Sequence, residues 1–488
     1  MTDIHYENWE PVIGLEIHVQ LNTKSKIFSS APNHFGDEPN TNISAVCTAQ
    51  PGSLPVLNKE AVRKAVQFGC AIGANIALFS KFDRKSYFYP DSPRNFQITQ
   101  FDKPILIGGS IITDVGSQAK HFAIHHAHLE DDAGMLKHFS TFAGVDYNRA
   151  GVALLEIVSE PCMHSPKEAS AYAMAIKAIM EYLDASDCNM EEGSLRVDCN
   201  ISVRPKNEKK LRNKIEIKNL NSFHSMEMAI ESEIRRQVRL YSTKPHEDPA
   251  KVVTTGTYRF DLDKQETVLM RQKEEADDYR YFPEPDLPPI VLEPSYIEQI
   301  RSALPELPHQ RFKRYLSEYQ LPIGSASFLT QDKKLADYFE KALKVYNSPK
   351  NISNWISVEF TGRFKDSGKN LLNSGIEAIH IGKLVQLIES GTITGKIAKS
   401  VADDMVASPG LDPEQIVKNN PDYQPMQDTF SIELLVDQVL AANPQSIADF
   451  KAGKGRAFDF LVGQVMKLCK GKASPSIVNQ LLTQKLKG

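Results

Sequence analysis

Glu16 and His18 stand two residues apart in a segment, residues 13–21, whose apolar and polar residues alternate strictly. This alternation is typical of a half-buried strand. Both side chains would then project from the polar face of the strand, where a carboxylate and an imidazole can approach one cation. For this strand alone, a solvated polar face is the simpler interpretation.

Further acids favour a cation site. Glu156 interrupts an apolar run, and burying a carboxylate costs free energy unless a cation or hydrogen bonds compensate it. Residues 122–132 form another predicted strand that ends in a cluster of acids, and its one face carries His126, His128, Glu130 and Asp132. Glu16, His18, Glu130 and Glu156 together predict an oxygen-rich site of the kind that magnesium accepts. The neighbouring histidines also suit a transition metal, but a matched set of further His or Cys ligands is lacking.

Two more predicted strands have a polar face that is rich in hydrogen-bonding groups. Arg196 and Asp198 alternate with apolar residues, and Glu216 and Lys218 share one face of the next strand. Arg196 and Lys218 are candidates to bind phosphate, and Asp198 and Glu216 are candidates to lie near a metal or near the end of the tRNA. Cross-strand ion pairs that only stabilise the sheet are an equal alternative.

Residues 81–98 combine cations with aromatic rings in the run KFDRKSYFYPDSPRNFQI. Lys and Arg can neutralise phosphate, Tyr and Phe offer stacking faces, and the two prolines stiffen the backbone. This composition fits an anionic ligand with flat rings. The alternative is a structural hairpin whose charges pair with one another. Residues 277–283 have a similar composition, and we predict that both runs face the same cleft.

The order of the elements predicts an α+β protein. We expect an N-terminal mixed or antiparallel β-sheet cradle domain with helices over residues 1–294, where a proline cluster marks the boundary. Helical patterns dominate the remainder, so we predict an all-α helical domain over residues 295–410 and a small all-α tail domain over residues 411–488. A chain of 488 residues is too long for one compact core.

Composition limits the location and the partners. Lys plus Arg total 57 against 61 for Asp plus Glu, a net charge of -4, so any nucleic-acid-binding surface must be local. The N-terminus lacks the basic run and apolar core of a signal peptide, and no apolar run approaches the roughly 20 residues of a membrane span. We therefore expect a cytoplasmic protein without a membrane segment. The six scattered cysteines, with no CxxC pair, predict reduced thiols.

Several motifs carry a family resemblance. Residues 81–98 resemble the hallmark segment of the GatB family, the B subunits of the glutamyl/aspartyl-tRNA amidotransferases. The resemblance continues through the following segments: VIGLEIH at 12–18, PGSLPVLN at 51–58, MEEGSLR at 190–196, KNLNSF at 218–223 and DYRYFPEPD at 278–286. Because these matches follow one another along nearly the whole chain, the sequence is identified as a member of this family.

The resemblance implies ATP-dependent amidation of Glu-tRNA(Gln), Asp-tRNA(Asn) or both. A magnesium-dependent kinase site in the N-terminal domain would transfer the γ-phosphoryl group of ATP to the side-chain carboxylate, which ammonia then attacks. For this site we predict the following residues: Glu16, Glu130, Glu156, Arg196 and Glu216 as catalytic groups, and Lys218, Arg271 and Arg280 as ATP ligands. A Walker loop is missing, since residues 391–397, GTITGKI, have one residue too few between the glycines.

The implied partners follow from what the chain lacks. No amidase segment for glutamine hydrolysis is visible, so ammonia must come from a partner. In this family that partner is an amidase subunit, a small third subunit supports the pair, and a tunnel conducts ammonia. Lys85, Arg94 and Asp131 are similar to charged tunnel residues of the family, although Arg94 and Asp131 stand where Lys and Glu are usual.

The tail resembles a tRNA-binding domain, which implies contacts from Lys454, Arg456 and Lys470 to tRNA(Gln) or tRNA(Asn). A solvated charged face is the alternative for these three residues. A non-catalytic tRNA-binding scaffold is the rival function for the whole chain. An aminoacyl-tRNA synthetase is disfavoured, since HIGH-type and KMSKS-type motifs are lacking.

The first loop departs from the family pattern. Many members carry a CxC and CxxC zinc set, and this sequence has Ser29, Ala31, Ser44 and Cys47 at the matching positions. One thiol cannot hold a tetrahedral zinc ion. We therefore expect no structural zinc, and we expect packing and hydrogen bonds to hold the loop.

Overall fold

The computed structural model describes residues 6–116, 118–272, 278–365, 367–423, 426, 428–451, 454–469 and 472–487. The chain forms two compact units, Met1–Arg311 and Phe312–Gly488. The first contains a large mixed sheet with helices, and the second is helical, which confirms the predicted α+β class. Two separate apolar clusters lie within the second unit, one over residues 312–417 and one over 432–486. The division into three domains stays a prediction.

The strands belong to the first unit. In chain order they are β1 (Trp9–Gln20), β2 (Asn75–Ile76), β3 (Phe79–Ser80), β4 (Asp83–Ser86), β5 (Phe96–Thr99), β6 (Leu106–Ile107), β7 (Ser110–Val115), β8 (Gln118–Asp131), β9 (Met135–His138), β10 (Ala143–Asp146), β11 (Ala153–Ser159), β12 (Leu195–Pro205), β13 (Ile215–Leu220), β14 (Gly256–Asp261), β15 (Glu266–Gln272), β16 (Phe282–Pro283) and β17 (Ile290–Val291).

Helices occur in both units. In chain order they are α1 (Lys59–Ala71), α2 (Pro166–Tyr182), α3 (Phe223–Thr243), α4 (Pro249–Val252), α5 (Pro294–Ser302), α6 (Pro308–Ser317), α7 (Ile323–Thr330), α8 (Lys333–Val345), α9 (Pro349–Asn354), α10 (Thr361–Phe364), α11 (Ala378–Glu389), α12 (Gly395–Ala407), α13 (Pro413–Asn419), α14 (Thr429–Ala442), α15 (Pro444–Lys451), α16 (Gly455–Leu468) and α17 (Pro475–Lys487). A π-helical stretch, Trp355–Phe360, joins α9 to α10. None of the helices in the described ranges is long and apolar enough to cross a membrane.

Strand β1 lies in the middle of the main sheet, between β11 and β12. The strand order is β15-β14-β13-β12-β1-β11-β8-β6-β2, and β7 also pairs with β8. Strands β13 and β14 run parallel, whereas β1 is antiparallel to both neighbours. The mixed sheet thus brings residues that are far apart in sequence onto neighbouring strands.

The predicted alternation of β1 sets its two faces. Ile13, Leu15, Ile17 and Val19 of β1 are at most 1% exposed and belong to the main apolar cluster. Helix α2 contacts β1, and α3 contacts β12. Each fully buried side chain of this size contributes about 1.5–3 kcal/mol relative to an exposed one. This burial fixes the register, so the polar residues of β1 all face the other side of the sheet.

Helix α2 begins with a reciprocal cap. The Ser165 hydroxyl accepts a hydrogen bond from the Glu168 N–H at 3.2 Å, and the Glu168 carboxylate accepts one from the His164 N–H at 2.7 Å. The Lys120 ammonium donates to the same carboxylate at 2.8 Å. This arrangement resembles a capping box, with the N–H of His164 in place of that of the cap residue, and gives partners to backbone groups at the helix start.

The basic and aromatic run of residues 81–98 forms a small sheet in the order β16-β4-β5. Some of its charges are structural: Arg84 makes hydrogen bonds of 2.7 and 3.0 Å to Glu284, whose side chain is fully buried. Lys81 pairs with Asp83 at 2.9 Å. Structural ion pairs therefore account for Lys81 and Arg84, whereas Lys85 and Arg94 line the cavity described below.

In the second unit, helices α8 and α11 cross at Gly382. A Cβ atom at this glycine would lie 2.6 Å from the carbonyl oxygen of Ala342 and 2.8 Å from Cβ of Val345. Both distances are too short for a real contact. The absence of a side chain at Gly382 therefore sets how closely the two helices approach.

Candidate active site

A cavity of about 340 Å³ opens over the polar face of the main sheet. Strands β1, β8, β11 and β12 contribute His18, Glu130, Glu156 and Arg196 to its wall. The remaining charged lining residues come from loops, from β4 and β13, and from the end of β8: Lys85, Asp91, Arg94, Asp131, Asp132, Arg149 and Lys218. Tyr279 also lines the cavity, so the two predicted basic and aromatic runs do contribute to one cleft.

Strand register builds a row of charged side chains across the cavity floor. His18 lies opposite Arg196 on one side and opposite Glu156 on the other, and Glu156 in turn lies opposite His128. The row therefore spans four antiparallel strands. Its members are separated by up to 178 residues in the chain but are neighbours in the sheet, where facing side chains interact directly.

Two imidazoles lie against two carboxylates. The His18 Nε2 atom is 3.3 Å from an oxygen of Glu156 and 3.9 Å from one of Glu130. The His128 Nε2 atom is 3.4 Å and 3.6 Å from the same two carboxylates. One ligand atom each from His18, Glu130 and Glu156 lies within 4.8 Å of the other two, so these three residues could hold a metal ion.

The protonation of this cluster follows from its charges. Burial opposes a charge on either imidazole, but Glu156 raises the pKa of His18 and raises that of His128 to about 10. Burial also opposes the charge on Glu156, yet the two imidazoles hold its pKa well below the ordinary value. Protonated imidazoles thus compensate the negative charge of the two carboxylates. A divalent cation bound here could replace the imidazole protons and supply the same positive charge.

A second acidic group lies next to the first. Single ligand atoms of Glu16, Asp198 and Glu216 lie within 4.8 Å of one another. The Lys218 ammonium is 2.7 Å from Asp198 and 3.0 Å from Glu216, and these two carboxylates raise the pKa of Lys218 although burial opposes its charge. The sequence placed Glu16 with His18, whereas the structure places Glu16 in this second group.

Three other charged residues line the same cavity. The Arg94 guanidinium pairs with Asp131, which also accepts a hydrogen bond from the Ile98 N–H at 2.8 Å. Burial raises the pKa of Asp131 to about 6 in spite of Arg94. The Lys85 ammonium lies 4.8 Å from the ring centre of Tyr279, and Glu130 raises its pKa against the effect of burial.

Comparison with known proteins identifies the family. A family model described as the GatB/GatE catalytic domain matches residues 11–298, and one described as the GatB domain matches residues 337–486. The chain is 67% identical over 481 residues to the B subunit of the aspartyl/glutamyl-tRNA(Asn/Gln) amidotransferase of Protochlamydia amoebophila, covering 99% of this chain and 97% of that protein. It is 57% identical over 486 residues to the protein of the same name from Chlamydia abortus, covering 100% of both.

This chain belongs to the B subunits of the aspartyl/glutamyl-tRNA(Asn/Gln) amidotransferases. The B subunit is a ligase component that acts in translation, within a multi-subunit enzyme that acts on tRNA. The residues matched to the catalytic domain include every residue that lines the cavity. The resemblance inferred from the sequence motifs is thereby confirmed.

Other residues predicted from the sequence lie elsewhere in the chain. Arg280 is exposed, has a positive φ of 48° and is not part of the cavity wall, and the side chain of Arg271 lies outside the described residues. In the second unit, Lys454 is 3.0 Å from Asp449, and Arg456 is exposed. Lys470 lies outside the described residues.

The sequence placed Asp132 in the acid cluster of a predicted strand without assigning it a role, and it gave no indication of a second cavity residue, Arg149. The Asp132 carboxylate is 2.9 Å from the Arg196 guanidinium and 3.5 Å from that of Arg149, and it accepts a hydrogen bond from Gln20 at 2.8 Å. Burial alone would raise the pKa of Asp132, but Arg196 and Arg149 lower it. The third acid of the LEDD run was a visible signal for Asp132, whereas no local pattern marked Arg149.

The first loop is held by hydrogen bonds at the position of the family's zinc set. The hydroxyls of Ser29 and Ser44 lie 3.3 Å and 3.2 Å from the Cys47 sulfur. Lys26, which is fully buried, donates to the carbonyl oxygens of Ala150 at 2.7 Å and Tyr147 at 3.1 Å. These contacts join the loop to the segment that carries Arg149 and so form one side of the cavity.

Proposed function

We propose that this chain transfers the γ-phosphoryl group of ATP to the side-chain carboxylate of glutamate on tRNA(Gln), of aspartate on tRNA(Asn), or of both. Ammonia then attacks the acyl phosphate, inorganic phosphate leaves, and the carboxylate becomes an amide. A free carboxylate would have to expel oxide, which is a very poor leaving group. Phosphorylation replaces oxide by phosphate and so makes the attack possible.

The observation that carries this proposal is the close approach of His18, Glu130 and Glu156 in a cavity that also contains Arg196. The two carboxylates supply the oxygen ligands that a hard divalent cation prefers, and water would complete most of the shell beside the imidazole nitrogen. Magnesium bound there would neutralise negative charge on the phosphates of ATP. Arg196 and Lys218, both in the cavity wall, are the proposed phosphate ligands.

The other predicted residues are proposed to act in catalysis, in ATP binding and in the passage of ammonia. Glu16 and Glu216 belong to the acidic group next to the first one, where they remain catalytic candidates. Arg271 and Arg280 remain predicted ATP ligands. Lys85, Arg94 and Asp131 line the same cavity and are proposed to guide ammonia into it while water is kept out.

The proposed enzyme is cytoplasmic and contains two further subunits. An amidase subunit would hydrolyse glutamine and supply ammonia, and a small third subunit would support the pair. Lys454, Arg456 and Lys470 of the tail would contact the phosphate backbone of tRNA(Gln) or tRNA(Asn), since Lys and Arg replace the counterions that the backbone releases. These assignments rest on the resemblance of the sequence to its family.

The test is release of ADP from labelled ATP by this chain in complex with its amidase partner, given mischarged tRNA and ammonia in place of glutamine. The variant Glu156→Gln should lose ADP release that depends on mischarged tRNA, because one metal ligand and one cluster charge are removed. Binding of tRNA should persist. Glu266→Gln, at an exposed position of β15, is the matched control and should behave like the unmodified enzyme.

Unchanged ADP release by Glu156→Gln would contradict the proposal. In that case another subunit would activate the carboxylate, and this chain would serve as a tRNA-binding scaffold. Loss of tRNA binding together with ADP release would likewise remove the support for a phosphoryl-transfer role of Glu156.

A further inference from the structure

Asp91 differs from the other acids of the cavity. Five carboxylates line the cavity, and four of them lie against a cation: Glu130 and Glu156 against histidines, Asp131 against Arg94, and Asp132 against Arg196. Among the described residues, Asp91 forms no ion pair, and its Oδ1 atom is buried without a hydrogen-bond partner. A buried carboxylate oxygen without a partner is costly, which points to a ligand that supplies the missing donor.

The surrounding backbone holds Asp91 firmly in the cavity wall. Its carbonyl oxygen accepts a hydrogen bond from the Gly134 N–H at 2.8 Å, and the Tyr147 hydroxyl donates to the neighbouring Pro90 carbonyl at 2.9 Å. A Cβ atom at Gly134 would lie only 3.1 Å from the Asp91 carbonyl oxygen. Three chain segments thus meet here, and the carboxylate is presented from a fixed position.

The electrostatic surroundings of Asp91 compensate its charge only in part. Burial raises the pKa of Asp91 above its ordinary value, and neither Arg149 nor a hydrogen bond from Tyr87 offsets this effect fully. No lysine or arginine of the described residues lies within ion-pair distance of it. A cationic ligand would remove this imbalance.

The substrate supplies one group of that kind. The names of the relatives specify aspartyl- and glutamyl-tRNA, in which the amino acid is joined to tRNA through its α-carboxyl group. The α-amino group stays free and is protonated, and an ammonium offers three donors and a positive charge. We propose, on the basis of the function proposed above, that Asp91 binds the α-ammonium group of the aminoacyl end.

This contact would be independent of side-chain length. Aspartyl and glutamyl groups differ by one methylene in the side chain but have the same ammonium group. Binding of the ammonium group by Asp91 would therefore recognise both aminoacyl esters alike. The side-chain carboxylate would stay free to reach the phosphoryl group. Asp91 would accordingly contribute to substrate binding and would leave the affinity for ATP unchanged.

The experiment compares two substrates in the intact amidotransferase complex. One is tRNA(Gln) carrying glutamate, and the other is the same tRNA carrying the α-hydroxy analogue, in which a hydroxyl replaces the ammonium. ADP release with ammonia as the nitrogen source gives KM and kcat for each. The unmodified enzyme should show a KM for the amino substrate that is lower by about 10-fold or more, as expected for a charge-assisted hydrogen bond.

The variant Asp91→Asn should remove this preference. Its KM should rise for the amino substrate and stay nearly constant for the hydroxy analogue, and its KM for ATP should not change. Asp114→Asn, in strand β7 and outside the cavity, is the matched control and should keep the full preference. Melting curves of both variants report whether the fold is intact.

Two results would overturn the assignment of Asp91. The first is equal use of both substrates by the unmodified enzyme, a result that does not depend on the folding of any variant. The second is an unchanged preference in Asp91→Asn. If Glu156→Gln is inactive in the same assay, these results contradict only the role of Asp91. Full activity of Glu156→Gln would instead contradict the proposed phosphoryl-transfer function.

Discussion

His18 and Glu156 lie directly opposite each other on adjacent antiparallel strands, with 3.3 Å between the imidazole Nε2 atom and a carboxylate oxygen. Their pairing depends on the register between β1 and β11. A slip of one residue would turn every side chain of one strand to the other face of the sheet. The apolar face of β1 therefore determines the geometry of the cavity as well as the stability of the sheet.

Asp132→Asn should weaken ATP binding. The Asp132 carboxylate lies 2.9 Å from the Arg196 guanidinium, and the amide of Asn carries no charge to hold that group in position. We expect KM for ATP to rise severalfold and KM for mischarged tRNA to change less. Steady-state ADP release measures both. An unchanged KM for ATP would show that Arg196 does not need Asp132 to reach its ligand.

Arg84→Met should destabilise the first unit. Arg84 makes two hydrogen bonds to Glu284, whose side chain is fully buried, so its loss leaves a buried carboxylate with fewer partners. Breaking such a pair costs about 3–5 kcal/mol. Denaturant unfolding measures the loss. Arg235→Met removes an exposed pair with Glu231 and should have little effect. Equal effects of the two variants would argue against a special role for Glu284.

Gly382→Ala should destabilise the second unit. The added methyl group would lie 2.6 Å from the Ala342 carbonyl oxygen and would force α8 and α11 apart. Overpacking of this kind costs about 1–3 kcal/mol. Gly362→Ala is the matched control, because a Cβ at that helical glycine meets no atom within 4 Å. It should be neutral or stabilising, and calorimetry separates the two outcomes.

Glu168→Gln should reduce stability in a pH-dependent manner. Burial alone would raise the pKa of Glu168, but the hydrogen bonds from Lys120 and from the His164 N–H lower it below its ordinary value. Because the folded-state pKa is depressed, the stabilisation is present at neutral pH and is lost as pH falls through that pKa. We expect a loss of about 1 kcal/mol at pH 7 for this helix cap. Urea unfolding at several pH values should show the difference from the unmodified protein vanishing in acid.

Arg456→Ala should weaken tRNA binding without changing its sequence preference. Arg456 is exposed and forms no ion pair with any other residue that the structure describes. A phosphate contact releases counterions, so the slope of log affinity against log salt should fall by about 1. Filter binding at several salt concentrations measures it. Lys399→Ala, at an exposed position outside the tail, should leave the slope unchanged.

The sequence predicted the central features of the fold because they follow from local patterns. Strict alternation gave β1 and its two faces, and the burial cost of a carboxylate singled out Glu156. Glu16 was placed with His18 because both project from the same face of β1. Two residues along a strand span about 6.6 Å, so the two side chains reach different neighbours. Register with β12 and β13, which no single strand reveals, brings Glu16 to Asp198 and Glu216.

Residues in loops were harder to predict. Arg149 and Asp91 lie in loops, where no alternation of polar and apolar residues marks them. The segments around Asp91, Gly134 and Arg149 come together only in the folded protein. For the basic and aromatic run of residues 81–98, the two interpretations made from the sequence each apply to some of its cations. Composition shows that cations are present, but only tertiary structure shows that Arg84 is paired with Glu284 whereas Lys85 faces the cavity.

The central position of β1 has a consequence for synthesis of the protein. This strand is made first, yet its two partners, β11 and β12, end at residues 159 and 205. At a translation rate of about 5–20 residues per second, the strand waits roughly 10–40 s before both edges can be paired. Throughout that time the apolar face of β1 stays without its sheet partners and is open to pairing with other nascent chains. Chaperones that shield the first part of the chain on the ribosome should therefore determine the yield of active enzyme.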